Sequence, residues 1–142
     1  MDLKRHIEKM MAGTVRLVDE DCGQAEAAAA GEDQYPIDTP CVLIGTPEVE
    51  WQDLTGSDTA QKGRASFTVR LVFDRYDDTH TGAAGAEEAA EGRIRLARQL
   101  NGFIHGWVFD GCASGCRRSY SRGLTIGPYK VYEATYRTTV EG

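Results

Sequence analysis

The sequence predicts a single α+β domain with a largely antiparallel or mixed sheet. The clearest observation is at residues 65–73, where ASFTVRLVF alternates strictly between core-type and polar side chains, interrupted only by Val72. Two amphipathic patterns, at residues 2–11 and 86–104, predict helices. Because hairpin-like connections rather than βαβ crossovers separate the strand patterns, we expect both helices on one face of four to five strands, in the order α-(β)-β-β-α-β-β.

The composition is that of an ordinary folded chain with room for one core. Its 142 residues are 41% hydrophobic and 27% charged, so we expect residues 1–142 to form one domain. The formal net charge of −6 argues against nucleic acid as the main partner, because phosphate binding requires a positive surface. No apolar run is long enough to span a membrane, and MDLKRHIEKMM lacks a signal-peptide pattern, so we expect folding in a cytoplasm.

The first third of the chain begins with a helix and then loses its apolar periodicity. The helix at 2–11 has Leu3 and Ile7 on one side, and Gly13 is placed to end it. The β-branched TVRLVD that follows predicts a first strand or an extended arm. Residues 20–39 are rich in alanine, glycine and acids, and we interpret them as a long mobile loop. Loops of this length are uncommon unless they are functional or disordered.

The centre of the chain predicts a pair of strands. Residues 40–54 start as an apolar run and then alternate, and the polar 55–63 connects them to the next strand. We expect the strand at 65–74 to be central in the sheet. Its predicted core face consists of Ala65, Phe67, Val69, Leu71 and Phe73.

The last third predicts a helix and two strands. The apolar stripe of the helix is expected to contain Ala86, Ala89, Ala90, Ile94, Ala97, Leu100 and Ile104. The arginines at 93, 95 and 98 lie largely off that stripe. Strands are predicted at 106–122 and 127–140. In the second of these strands, the shared apolar face is expected to contain Tyr132, Ala134, Tyr136 and Val140.

The end of the strand at 65–74 is acidic, with Asp74, Asp77 and Asp78 followed by His80. These groups could hold a divalent cation, but DRYDDTHTG lacks the regular oxygen spacing and distal glutamate of a calcium loop. Asp and Thr are also common in turns and at helix starts. We therefore predict no metal here, and we interpret the run as a strand exit with a charged surface that faces a neighbouring subunit or partner.

The four cysteines, Cys22, Cys41, Cys112 and Cys116, are predicted to be thiols rather than disulfides. The CASGC spacing matches neither a zinc knuckle nor a redox dithiol. A zinc site that combines Cys22 or Cys41 with His105 stays as an alternative. No cofactor is expected, because phosphate-binding and dinucleotide glycine patterns are absent from the sequence.

A basic patch is formed by Arg117, Arg118 and Arg122 beside Tyr120. On a chain of net charge −6, such a patch is better suited to an acidic protein surface, or to another copy of this chain, than to nucleic acid. Because no catalytic constellation is evident, the residues indicate a structural or binding protein and not an enzyme.

The order of the motifs along the chain resembles the tail terminator proteins of long-tailed phages and prophages, which are tail-completion proteins that join head and tail. The resemblance covers most of residues 15–140 and consists of several weak motifs in succession. These motifs are VRLVDEDCGQ (15–24), YPIDTPCVLI (35–44), VEWQDL (49–54), GRASFTVRLVFDRYDDT (63–79), and the closing SYSRG and YKVYEATYRTTV.

The resemblance implies a virion structural protein that forms a ring, usually of six copies. Such a ring caps the finished tail tube, ends its polymerisation and presents a surface to the head. The implied partners are other copies of the chain, the major tail tube protein and a head–tail connector protein. The implied location is the bacterial cytoplasm during assembly, and afterwards the tail or neck of the virion.

Two other classes of function stay open from the sequence. One is a different neck or head-completion protein of the same kind of phage, since related small α+β subunits serve several neck positions. The other is a small metal- or thiol-dependent enzyme that uses the cysteines and the acidic run. Metal analysis of the purified chain separates the enzyme from the structural protein.

Overall fold

The computed structural model describes residues 2–31, 37–56, 60–74, 82–109 and 111–142, with the backbone alone for Asp2 and residues 82–86. These residues form helices α1 (Asp2–Met10), α2 (Gln24–Ala29) and α3 (Gly82–Ile104). Their strands are β1 (Leu17–Glu20), β2 (Cys41–Ile44), β3 (Glu48–Asp53), β4 (Gln61–Asp74), β5 (Arg117–Ile126) and β6 (Tyr129–Glu141).

The strands form one mixed sheet, in the order β1-β2-β4-β6-β5, with β3 paired to β4 beyond the end of β2. Only the β1–β2 pair is parallel. The predicted α+β class and the central position of β4 are therefore confirmed. The expected number of strands was too low, since the described residues form six. The expectation of hairpin connections was wrong at β1 and β2, because two parallel neighbours require a crossover, which here contains α2.

One face of the sheet, called here the helix face, is covered by α1 and α3. Alternate β4 side chains point to it, and Ala65, Phe67, Val69 and Leu71 are buried as predicted, while Phe73 is partly buried. The core of this face consists of Leu3, Ile7, Met11, Val18, Val42, Ile44, Phe67, Val69, Leu71, Leu100, Ile104, Cys116 and Tyr136.

The other face, called here the α2 face, holds a second and smaller core. It consists of Ala25, Cys41, Leu43, Val72, Tyr129 and Val131. Val72 is fully buried in it, so the side of β4 that the sequence predicted to be wet is partly core. All four residues of β2 are buried because both faces of this strand are covered.

Three predicted boundaries differ from the structure. The expected loop at 20–39 contains the short helix α2. The predicted strand at 40–54 is two strands, with a break between Ile44 and Glu48. The predicted strand at 106–122 begins only at Arg117, because the residues before it form turns.

The long helix α3 has a different buried stripe from the one predicted. Leu100 and Ile104 are buried as expected, but Ile94 is 44% exposed. Arg93 was placed off the stripe and is buried, with 7% of its surface exposed. Within the described part of the chain, no helix combines the length and apolar character needed to cross a membrane.

Candidate functional site

The strand β5 forms an uncovered basic edge of the sheet. It pairs only with β6, and its first seven residues are exposed. Arg117 lies directly opposite Arg137, and neither arginine forms an ion pair with a carboxylate of the described residues. Like charges directly opposite in a sheet repel each other. Tyr120, 58% exposed, adds an aromatic ring to this edge.

The other two arginines of the predicted patch have contacts within the subunit. The Arg122 Nε donates a hydrogen bond to the Glu133 Oε1 at 3.0 Å. The backbone N–H of Arg118 donates to His105 Nδ1 at 3.1 Å, while its side chain is exposed. Of the three arginines, Arg117 and Arg118 therefore have side chains free of ion pairs among the described residues.

The predicted acidic run is only partly described. Asp74 is the last residue of β4 and lies opposite Tyr129, whereas Asp77, Asp78 and His80 lie outside the described residues. Arg117 is opposite Arg137, which is in turn opposite Ser66. Eight residues of β4 separate Ser66 from Asp74, or about 26 Å at the usual rise per residue. One subunit therefore does not bring Asp74 and Arg117 together.

A second uncovered edge is acidic. On β3 the side chains of Glu48 and Glu50 are exposed, and neither forms an ion pair with a described residue. Trp51 and Leu54 are 48% and 45% exposed beside them. The alternation of these residues was visible in the sequence, but it does not show that β3 has a free edge. For that reason, this surface is not predictable from the sequence alone.

The exposed Trp51 is held in place from one side. A side-chain carbon at Gly63, its cross-strand neighbour, would lie 2.9 Å from the Trp51 ring, and one at Gly142 would lie 2.8 Å from it. The ring therefore covers two positions where only glycine leaves room. An exposed ring that is fixed on one side loses little conformational entropy on binding.

A network of charges fastens α2 to the sheet. Arg70 Nε donates to Glu133 Oε2 at 2.8 Å, its Nη1 donates to Glu26, and the same nitrogen lies 3.6 Å from Asp21. Glu133 also accepts the hydrogen bond from Arg122. Because the Glu133 and Arg70 side chains are largely buried, each requires the others as partners.

The network shifts the pKa of its carboxylates. Burial alone would raise the pKa of Glu133, but hydrogen bonds from Arg70 and Arg122 outweigh it and hold that pKa below the ordinary value. The pKa of Glu26 is also lowered, because the hydrogen bond and charge of Arg70 outweigh its burial. Both groups are therefore carboxylates at neutral pH.

A groove of about 340 Å³ lies between α3 and the β5–β6 hairpin, on the side of the basic edge. Ile94, Leu100 and Tyr132 contribute apolar surface to it, and Arg98 and Arg118 contribute positive charge. A groove with this lining suits an apolar segment that carries acidic residues.

The four cysteines are free thiols, and Cys41 and Cys116 are buried. Burial raises the pKa of Cys41 to about 12 and that of Cys116 to about 11, so both remain neutral thiols. The described residues contain no cluster of three or more His, Cys, Asp or Glu side chains positioned to hold a metal ion.

Comparison with known proteins finds a shared fold. No protein-family model matches the chain, and no curated protein matches its sequence. A chain of a solved structure described as the virion of a native gene transfer agent particle has a similar fold, with a TM-score of 0.56 and 15% identity. The match covers 99% of this chain and 92% of that chain, so the similarity extends over the whole domain.

Proposed function

We propose that the chain is a structural protein of a phage-like virion, which forms a ring at the end of the tail tube. The observation that carries the proposal is the fold shared, over nearly the whole chain, with a chain of a gene transfer agent virion. The order of sequence motifs supports the same assignment independently, since it resembles tail terminator proteins. The proposed role is to end tube polymerisation and to provide the surface that joins the head.

The geometry of the subunit suits a ring. A closed ring is built from heterologous contacts, in which two different surfaces of each subunit meet. The sheet has two such surfaces, the basic edge at β5 and the acidic edge at β3. A non-enzymatic role is also supported by the fold shared with a chain of a virion particle.

The contact residues proposed from the sequence belong to this assembly. We assign Arg117, Arg118 and Arg122 to contacts between subunits. We assign the acidic run, Asp74, Asp77 and Asp78, to a contact with a tail tube protein or a connector, because Asp74, its only aspartate among the described residues, lies at the opposite end of the sheet from Arg117. The proposed site of action is the virion neck, after assembly in a bacterial cytoplasm.

The test is tube capping by the purified chain. When added to a polymerising tail tube protein of the same particle, the chain should limit tube growth, and electron microscopy should show one ring at one end of each tube. Lysozyme at equal concentration is the control for unspecific effects. Unlimited tubes without end-bound rings would contradict the terminator role, whereas binding to the head portal alone would indicate a different neck position.

A further inference from the structure

Two edges of the sheet, at β5 and at β3, carry opposite charges. We propose that β5 of one subunit pairs with β3 of the next copy of this chain, so that the sheet continues from subunit to subunit around the ring. The inference rests on the proposed function, because it names the contact by which copies of the chain would close that ring. The occupant of the basic edge is thus a second copy of this chain.

At the start of β5 the basic edge has no carboxylate partner among the described residues. Arg117 and Arg137 face each other across β5 and β6, and no described carboxylate forms an ion pair with either. This repulsion is relieved when an acidic strand is placed beside β5. The surface charge of β5 therefore selects for an acidic partner.

The acidic edge offers the matching groups on the matching face. Glu48 and Glu50 lie opposite Ser66 and Arg64, on the α2 face, because they alternate with Val49 and Trp51. Arg117 also projects on the α2 face, since its partner Arg137 alternates with the helix-face residue Tyr136. In a sheet continued by rotation around a ring, the α2 faces of neighbouring subunits remain on the same side.

The strand directions also fit. β3 is antiparallel to β4, whereas β5 runs in the same direction as β4, since both are antiparallel to β6. Subunits related by rotation about an axis close to the strand direction therefore place β5 and the neighbouring β3 antiparallel. This orientation permits a regular ladder of backbone hydrogen bonds between two chains.

Exposed apolar groups are available for the same contact. Trp51 and Leu54 accompany the acidic edge, and Tyr120 accompanies the basic edge. Tryptophan, tyrosine and arginine are the residues that most often dominate the energy of protein interfaces. The charges then set the choice of partner, and the aromatic groups contribute most of the affinity.

Two other acidic surfaces fit less well. The other outer strand, β1, exposes only Glu20 of its four residues. Asp74 lies at the far end of the sheet from Arg117. The strand β3 is the acidic edge with exposed side chains along its length.

The test is a charge swap in the full chain, with ring formation measured by analytical ultracentrifugation and electron microscopy. The basic reversal, Arg117→Glu with Arg118→Glu, should raise the concentration for half-assembly about hundredfold, because both edges are then acidic. The acidic reversal, Glu48→Lys with Glu50→Lys, should have a similar effect. Circular dichroism melts check that each variant is folded.

Combining both reversals in one chain should restore half-assembly to within about tenfold of the unaltered chain, because opposite charges again face each other. The combined chain also returns to the formal net charge of −6. The matched control is a chain that carries the basic reversal together with Glu87→Lys and Glu91→Lys, two substitutions at exposed residues of α3. It has the same net charge without matched edges, so it should not assemble.

Mixing the two reversed chains gives a further readout. The basic reversal leaves a chain with two acidic edges, and the acidic reversal leaves a chain with two basic edges, so neither chain pairs with itself. In a mixture, each edge of one chain meets an edge of opposite charge on the other chain. The mixture should therefore form alternating rings with equal amounts of both chains, which native mass spectrometry detects. A ring with an odd number of subunits cannot alternate in this way.

The outcomes separate the inference from the proposed function. If the unaltered chain forms no ring at high concentration and none on tube ends, the proposed function and this inference are both wrong. If it forms rings but the control assembles as well as the combined chain, only the edge pairing is wrong. Rescue of the basic reversal by Asp77→Lys with Asp78→Lys, and not by the β3 changes, would assign the arginines to the acidic run instead.

Discussion

Leu71 illustrates how strongly single side chains of β4 hold the subunit together. It is 1% exposed and packs in the core of the helix face. Leu71→Ala removes buried methyl groups and leaves a cavity, so it should lower the free energy of unfolding by about 2–5 kcal/mol. Urea denaturation measures this loss, and Leu54→Ala, at an exposed leucine, is the control. A difference near zero between the two variants would contradict the assigned face of β4.

The ion network around Arg70 should make the subunit sensitive to acid. The pKa of Glu133 in the folded chain lies below its ordinary value. The Glu133 carboxylate therefore contributes fully to the free energy of unfolding when the pH is above the ordinary pKa. This contribution is lost as the pH falls through the pKa of the folded chain. We expect stability to fall as the pH drops below the ordinary value of 4.5. In Glu133→Gln, stability should be lower at neutral pH and should fall less on acidification. Urea melts at several pH values test this, and an equal acid response in both chains would contradict it.

At the scale of the residue, the sequence predicted the buried side of β4 because strict alternation assigns side chains to two faces. It could not predict that Val72 is buried on the opposite face, since that burial depends on α2, which is distant in sequence. The buried position of Arg93 was missed for a related reason. Helical spacing identifies a stripe, but tertiary packing decides how far around the helix that stripe is covered.

The short helix α2 is the element that the sequence failed to predict. Its six residues, QAEAAA, show no apolar period because alanine dominates them. A helix this short is unstable alone. It is held instead by Glu26 contacting Arg70, and by close packing of Ala29 against the turn between β5 and β6.

That turn gives a sharp test of the α2 docking. Gly127 has a φ of 55°, and a side-chain carbon there would lie 2.4 Å from Ala29 Cβ. Gly127→Ala should therefore cost about 1–3 kcal/mol. The same change at Gly92, within α3 and with no atom within 4 Å, should stabilise by about 0.5–1 kcal/mol. Thermal melts compare the two variants, and shifts of the same sign would contradict the packing of α2 on this turn.

At the scale of the whole molecule, the sequence predicted the fold class and the central strand, but not the two charged edges. Arg117 and Arg118 were recognised as a patch because they adjoin in sequence. Glu48 and Glu50 were not, because only long-range pairing decides which strands end a sheet. The contact between the acidic run and the arginines stays a prediction from the sequence, and we propose β3 of a neighbouring copy as the partner of the arginines instead.

The outer edge of β5 also determines how its amide groups exchange hydrogen with the solvent. In an antiparallel strand, every second N–H points away from the neighbouring strand, and on β5 these groups meet water. Deuterium should therefore enter alternate amides of β5 rapidly in the dilute subunit, while those of β4 remain protected for much longer. If β5 is joined to a neighbouring strand in the ring, the rapid amides should become slow, and mass spectrometry of the peptide 117–126 would record when each subunit is incorporated.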